Sequence, residues 1–116
     1  MAFPVISAQE DLIVSAAEEA ADQKDYKVTL GINPETWFLH EASIHNTVTP
    51  FCVVAVYFVD HRDKWHRLLD GMHTFSCVPL VTNVKFSGKK LGFMMSRGLK
   101  ENDVMRVSYT VERVIV

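Results

Sequence analysis

The chain has little of what secreted, membrane-embedded or strongly charged proteins are built from. It carries only two cysteines, Cys52 and Cys77, in 116 residues. That is too few for a disulfide scaffold and fits a reduced, cytoplasmic protein, with a single Cys52–Cys77 bridge as the alternative. The opening MAFPVISAQE has neither a basic start nor a long apolar run, so no secretory signal is expected. The longest apolar run, Phe51 to Val59, is nine residues. A helix needs ~20 to cross a bilayer, so no membrane span is expected. No Asn-x-Ser/Thr sequon occurs. A net charge of −2 supplies no global field toward nucleic acid or anionic membranes.

Catalytic signatures are equally scarce. There is no Gly-x-Ser-x-Gly elbow, phosphate loop, dinucleotide fingerprint or deaminase signature. The densest polar stretch is DHRDKWHRLLDGMHTFSC, residues 60–77. Its histidines do not have metal-ligand spacing. His61 and His66 are five apart, as are His40 and His45, and such pairs point to opposite faces of a strand. His66 and His73 would align only on a helix that Gly71 is expected to end. Long-range convergence, for instance of His40 with His73, is the remaining route to a metal. Cys77 shares a strand face with His73, yet four residues along a strand is roughly 13 Å, too far for a thiol–imidazole dyad. Cys52 lies in an apolar run, where a thiol is usually inert. Asp60 and Asp63 sit among alternating charges and read as solvated. No catalytic residue, metal ligand or cofactor is therefore singled out. A histidine- or metal-dependent enzyme around His40, His61, His66 and His73 is kept as a minor alternative.

What is present points to one globular domain over 1–116, 48% hydrophobic and 22% charged. SAQEDLIVSAAEEAADQ begins with a capping-box pattern, Ser7 with Glu10. Leu12, Ala16 and Ala20 recur at four-residue spacing, which predicts an amphipathic helix over about 8–23. From about residue 26 the period switches to two, predicting a β-rich core over 26–116. YKVTLGI alternates, with Tyr26, Val28, Leu30 and Ile32 on one face. Asn33-Pro34 marks a turn, ETWFLHEASIHN a strand of mixed faces, and Thr49-Pro50 its end. FCVVAVYFVD reads as a central strand covered on both sides. DVMRVSYTVERVIV places Met105, Val107, Tyr109, Val111 and Ile115 opposite Arg106, Ser108, Thr110 and Glu112. HTFSCVPL, NVKFSG and KLGFMMS give shorter strands, and Ser87-Gly88-Lys89 a hairpin turn. Residues 60–71 have helical spacing at Trp65, Leu68, Leu69 and Met72, with Asp60 as cap and Gly71 as stop. A short helix plugging the end of the fold is expected there, with i,i+4 pairs Asp60–Lys64 and Asp63–Arg67; an irregular strand is the runner-up. The fold class is mainly β (α+β): an antiparallel β-sandwich or jelly-roll-like barrel of 6–8 strands with one N-terminal helix.

Charge is uneven along the chain. Residues 1–26 hold six acids and one base, and residues 71–100 hold five bases and no acid. Both ends can be solvated surfaces, or they can meet, within one chain or between copies. The pair Met94-Met95 and the apolar C-terminal strand mark an adaptable contact surface comprising Met94, Met95, Val114 and Val116. Lys85, Lys89, Lys90 and Arg97, close to Phe86 and Phe93, form a candidate contact for nucleic acid or anions, although the same aromatics fit an inward hairpin face. The leading expectation is a non-enzymatic interaction or assembly module that self-associates or binds a protein partner, of the kind found among accessory and structural proteins, viral ones included. A nucleic-acid- or small-ligand-binding barrel using residues 85–90 is the main alternative.

Overall fold

The computed structural model describes residues 5–31, 35–46, 52–73 and 78–114. Within them the chain forms eight strands and one short helix: β1 (Val5–Ile13), α1 (Ala16–Ala21), β2 (Gln23–Thr29), β3 (Glu35–Asn46), β4 (Cys52–Val59), β5 (Trp65–His73), β6 (Val78–Gly88), β7 (Lys90–Ser96) and β8 (Val104–Val114). Two four-stranded antiparallel sheets result, in the orders β1-β8-β3-β6 and β2-β7-β4-β5. The pairs β1–β8, β2–β7, β3–β6 and β4–β5 all recur, so the first half of the chain runs against the second. Only β4 and β5 are consecutive strands of one sheet, and every other connection passes between sheets. The antiparallel, mainly β class is as expected from the sequence.

Alternation explains most strands. In β8, Met105, Val107, Tyr109 and Val111 are buried, and the residues between them are not. In β7, Leu91, Phe93 and Met95 enter the core. From β3 come Trp37, Leu39, Ala42 and Ile44, their phase kept by a bulge at His40 between Leu39 and Glu41. β4 lies inside its sheet, between β7 and β5, and Val54 and Val56 enter the core from it.

Three expectations are corrected. The long helix over 8–23 is absent: residues 5–13 form an edge strand on β8, and only Ala16–Ala21 is helical. The inward positions Ile6, Ala8 and Leu12 satisfy a period of two as well as the helical one. A capping box does exist, but at Ser15. Its hydroxyl accepts from the Glu18 amide at 3.2 Å, while the Glu18 carboxylate accepts from the Ser15 amide at 3.0 Å. Residues 65–73 are strand β5 and not a helix, so the runner-up reading stands. Val56 pairs with Leu69 and Tyr57 with Arg67, which leaves Leu68 as an extra residue. Finally, Ser87-Gly88-Lys89 is not a hairpin turn. β6 and β7 belong to different sheets, and this corner crosses between them, held by the Lys89 amide donating to the Val59 carbonyl at 3.0 Å. A Cβ at Gly88 would stand 2.6 Å from that carbonyl oxygen, so glycine permits the approach. The turns at Asn33-Pro34 and Thr49-Pro50, and residues Ile32, Cys77, Ile115 and Val116, lie outside the described residues.

Candidate interaction surface

The two sheets present unlike outer faces. On the first, Ser7, Gln9, Glu41, Ser108 and Thr110 help to line a polar hollow of about 350 Å³. The Ser7 and Thr110 hydroxyls are 3.0 Å apart, and Arg106 donates to both oxygens of Asp11 at 2.6 and 3.1 Å. That face is what solvent favours.

The second sheet is different. Alternation puts Ala55, Tyr57 and Val59 of β4 outward, yet Ala55 and Val59 are only 0% and 1% exposed. Their register partners include Met94 for Ala55 and Trp65 for Val59. Trp65 lies across the sheet and over Gly92 of β7. A Cβ at Gly92 would sit 2.4 Å from Trp65 Cζ3 and 2.8 Å from Cη2. The missing side chain is therefore what lets the indole lie on the sheet. Tyr57 meets Trp65 edge to face at 5.2 Å between ring centroids. Lys27 Nζ stands 5.3 Å from the centroid of the Trp65 ring, and the Arg67 guanidinium 5.7 Å from that of Tyr57. Gln23, Asp25, Tyr57, Trp65 and Met94 line a shallow hollow of about 340 Å³. All four strands of the sheet thus contribute to one aromatic patch rimmed by charges of both signs.

Comparison of the chain with models of known protein families and with curated proteins gave no match. The functional reading rests on this geometry.

The singled-out residues distribute as follows. Met94 is half-exposed on the aromatic face, whereas Met95 is fully buried in the core and belongs to no surface. Val114 ends β8 at the register position opposite Thr36. The basic set does not converge on one site. Lys85 is exposed in β6 of the first sheet, and Lys90 begins β7 in the second. Arg97 lies beyond the other end of β7, and Lys89 pairs with Asp63 at 2.9 Å. The Lys89 hydrogen bond and charge, aided by Lys90 and Lys27, hold the Asp63 carboxyl below the usual aspartate range.

The acidic N-terminal segment meets the end of the basic stretch and the turn after it through backbone amides, not through the basic side chains. Asp22 accepts from the Leu99 amide at 3.2 Å and Glu19 from the Glu101 amide at 2.8 Å. Glu18 instead pairs with Lys24 at 2.8 Å. Burial raises the Glu18 pKa, but the Lys24 and Ser15 hydrogen bonds outweigh it and leave it lowered.

Asp60 organises the 60–64 turn. Asp60 Oδ1 accepts from the Arg62 and Lys64 amides at 2.8 and 3.0 Å, and Oδ2 takes His66 Nε2 at 2.7 Å. These bonds replace the expected Asp60–Lys64 ion pair and hold the Asp60 carboxyl far below its ordinary range, the His66 bond foremost. His66 stacks on Phe58, and His40 faces Glu112 at 3.4 Å. Among the described residues no three His, Cys, Asp or Glu side chains gather as a metal would require, and no helix is long and apolar enough to cross a membrane.

Tyr57, Trp65 and Gly92 escaped the sequence reading as surface residues. The signal was the outward phase of β4 together with a glycine on the outward phase of β7.

Proposed function

We propose that this chain is a jelly-roll interaction and assembly module without catalytic activity, and that its working surface is the outer face of the β2-β7-β4-β5 sheet. The strand order, two interleaved Greek keys, supports the jelly-roll reading. The observation that carries the function is the Trp65 indole laid over Gly92 beside Tyr57 and Met94. An aromatic platform with buried aliphatic groups at its centre and charges at its rim has the anatomy of a protein contact. Asp25 stands on the same face as Lys27 and Arg67. A second copy rotated by a two-fold axis can therefore set acid against base, which favours self-association as an accessory or structural protein would use it.

The test is light scattering over a concentration series, read beside tryptophan emission. Trp37 is buried at 2% exposure, so an emission shift with concentration reports Trp65. Association that shifts the emission and is weakened at least ~10-fold in Trp65→Ala, roughly the loss of a ~1.4 kcal/mol contact, supports the reading. Association with no shift, and with full strength in Trp65→Ala, removes this face from the account.

One observation favours a second reading. Two cation–aromatic pairs on one sheet also make a stacking platform for the bases of single-stranded nucleic acid. Oligonucleotide binding that weakens steeply with salt and is lost in Trp65→Ala marks that alternative.

A further inference from the structure

β1 forms one edge of the first sheet and is paired only with β8 among the described residues. Most natural edges of this kind are protected by covering, bulging or charge. Here the two acids in the strand are already engaged. Asp11 is held by Arg106, whose hydrogen bond and charge keep its carboxyl below the usual range. Glu10 accepts from the Tyr26 hydroxyl, which pushes that phenol up to about 12. The two ends of the strand carry the exposed large apolar side chains of the described residues, Val5 at 55% and Ile13 at 60% exposure.

These two residues lie equally far from Gln9, one on each side, and on the same strand face. We infer that β1 pairs antiparallel with β1 of a second copy about a two-fold axis at Gln9, joining two sheets into one of eight strands. In that register Val5 meets the partner copy's Ile13 at both ends of the ribbon, and Ile6 meets Leu12 on the inner face. Ser7 stands opposite Asp11, and Ala8 opposite Glu10. Gln9 faces its own copy, where a carboxamide can both donate and accept.

Keeping both cores on the same side of the joined sheet allows only shifts by whole residues of the axis. An axis at Glu10 sets Glu10 against Glu10, and one at Asp11 sets Asp11 against Asp11. Like charges directly opposite are destabilising. An axis at Ala8 places Val5 against Asp11 and Ile6 against Glu10. Among these axes, Gln9 alone gives the exposed Val5 and Ile13 apolar partners and faces no acid with an acid. This surface is separate from the Trp65 face and stands or falls without it.

The experiment combines molar mass by light scattering with two single-cysteine additions. Directly opposed residues lie ~4.5–5.5 Å apart, within disulfide reach. Ser7 and its copy are offset by four residues, roughly 13 Å. Gln9→Cys should therefore crosslink to a dimer under mild oxidation, above the level of the unsubstituted chain, and Ser7→Cys should not. Val5→Glu and Ile13→Lys should each weaken the dimer by about tenfold, since each charge replaces an apolar partner in two symmetric pairs. The double variant V5E/I13K should recover most of that loss by making the new pairs opposite in charge. Trp65→Ala should leave this dimer in place. A monomer at every concentration overturns the inference. So does a dimer indifferent to Ile13→Lys, or equal crosslinking of Gln9→Cys and Ser7→Cys. Circular dichroism of each variant separates lost pairing from lost folding, and the cysteine variants, which leave Val5 and Ile13 intact, test the register if a charged variant does not fold.

Discussion

Asp60 shows how one side chain can organise a segment that looks like an active site. It caps the 60–64 turn through two backbone amides and fixes His66, which in turn stacks on Phe58 at the rim of the core. The carboxylate form receives all three hydrogen bonds, so the folded-state pKa lies far below the unfolded value. The sign follows from linkage. A depressed carboxylate pKa contributes stability that is complete above the unfolded value, ~3.9, and is lost as pH falls below it toward the folded value. Asp11 and Asp63 are depressed in the same direction by Arg106 and Lys89. Asp11 and Asp63 are exposed, so salt weakens their contribution more than that of Asp60, whose side chain is 19% exposed. The chain should therefore lose stability to urea steadily between about pH 4 and pH 2. Asp60→Asn should be less stable near neutrality and show a flatter decline in acid. Urea midpoints measured across that range check this, and parallel curves for the two chains would show that Asp60 contributes nothing through its charge.

At the scale of elements, β1 and α1 show what a local pattern can and cannot specify. Two Ser-x-x-Glu motifs occur in succession, at Ser7 and at Ser15, and both read as helix starts. Only the second acts as one. The first lies in a strand whose partner, β8, is about a hundred residues away in the chain. A capping motif is worth about 1 kcal/mol, which nine residues of sheet pairing readily exceed. Ser15→Ala should accordingly cost about 1 kcal/mol in urea unfolding. Ser7→Ala, which loses only an exposed hydroxyl contact to Thr110, should cost less than about 0.5 kcal/mol. The reverse order would restore the long helix.

The same contrast explains what else was legible. β2, β4 and β8 were readable because their alternation is regular or their apolar run continuous, and β3 because Asn33-Pro34 and Thr49-Pro50 bracket it in the sequence, although the bulge at His40 breaks its alternation. β5 was misread because Leu68 is an inserted residue. Trp65 lies on the outer face over Gly92 and Leu68 packs against the core, so the insertion leaves an i,i+3 spacing that imitates a helix face the two side chains do not share. The aromatic face was half legible: Met94 was identified, but Trp65 was assigned to a plug. Its true position depends on Gly92 on a strand that is not its sequence neighbour.

For the whole molecule, winding one half of the chain against the other has a kinetic consequence. Val5 pairs with Glu112 and Ile13 with Val104, so the first sheet closes only when both ends of the chain are in place. β8 sits between β1 and β3, and without it that sheet has no centre. The helix is six residues long and buries no residue of its own, so it offers little local structure to fold around. Non-local pairing must meet loop-closure entropy before contacts stabilise the chain. Refolding from urea should therefore take milliseconds to seconds, as for other β-sandwiches, and not the microseconds of helical bundles. Trp37 is a suitable reporter, because its burial needs β3 packed against the opposite sheet. Replacing Val107 at the centre of β8 by Ala should slow refolding as well as speed unfolding if β8 docks in the transition state. An effect on unfolding alone would place β8 docking after the barrier. Stopped-flow fluorescence over a urea series gives both rates. A sub-millisecond refolding phase carrying the full Trp37 signal would contradict the dependence on end-to-end pairing.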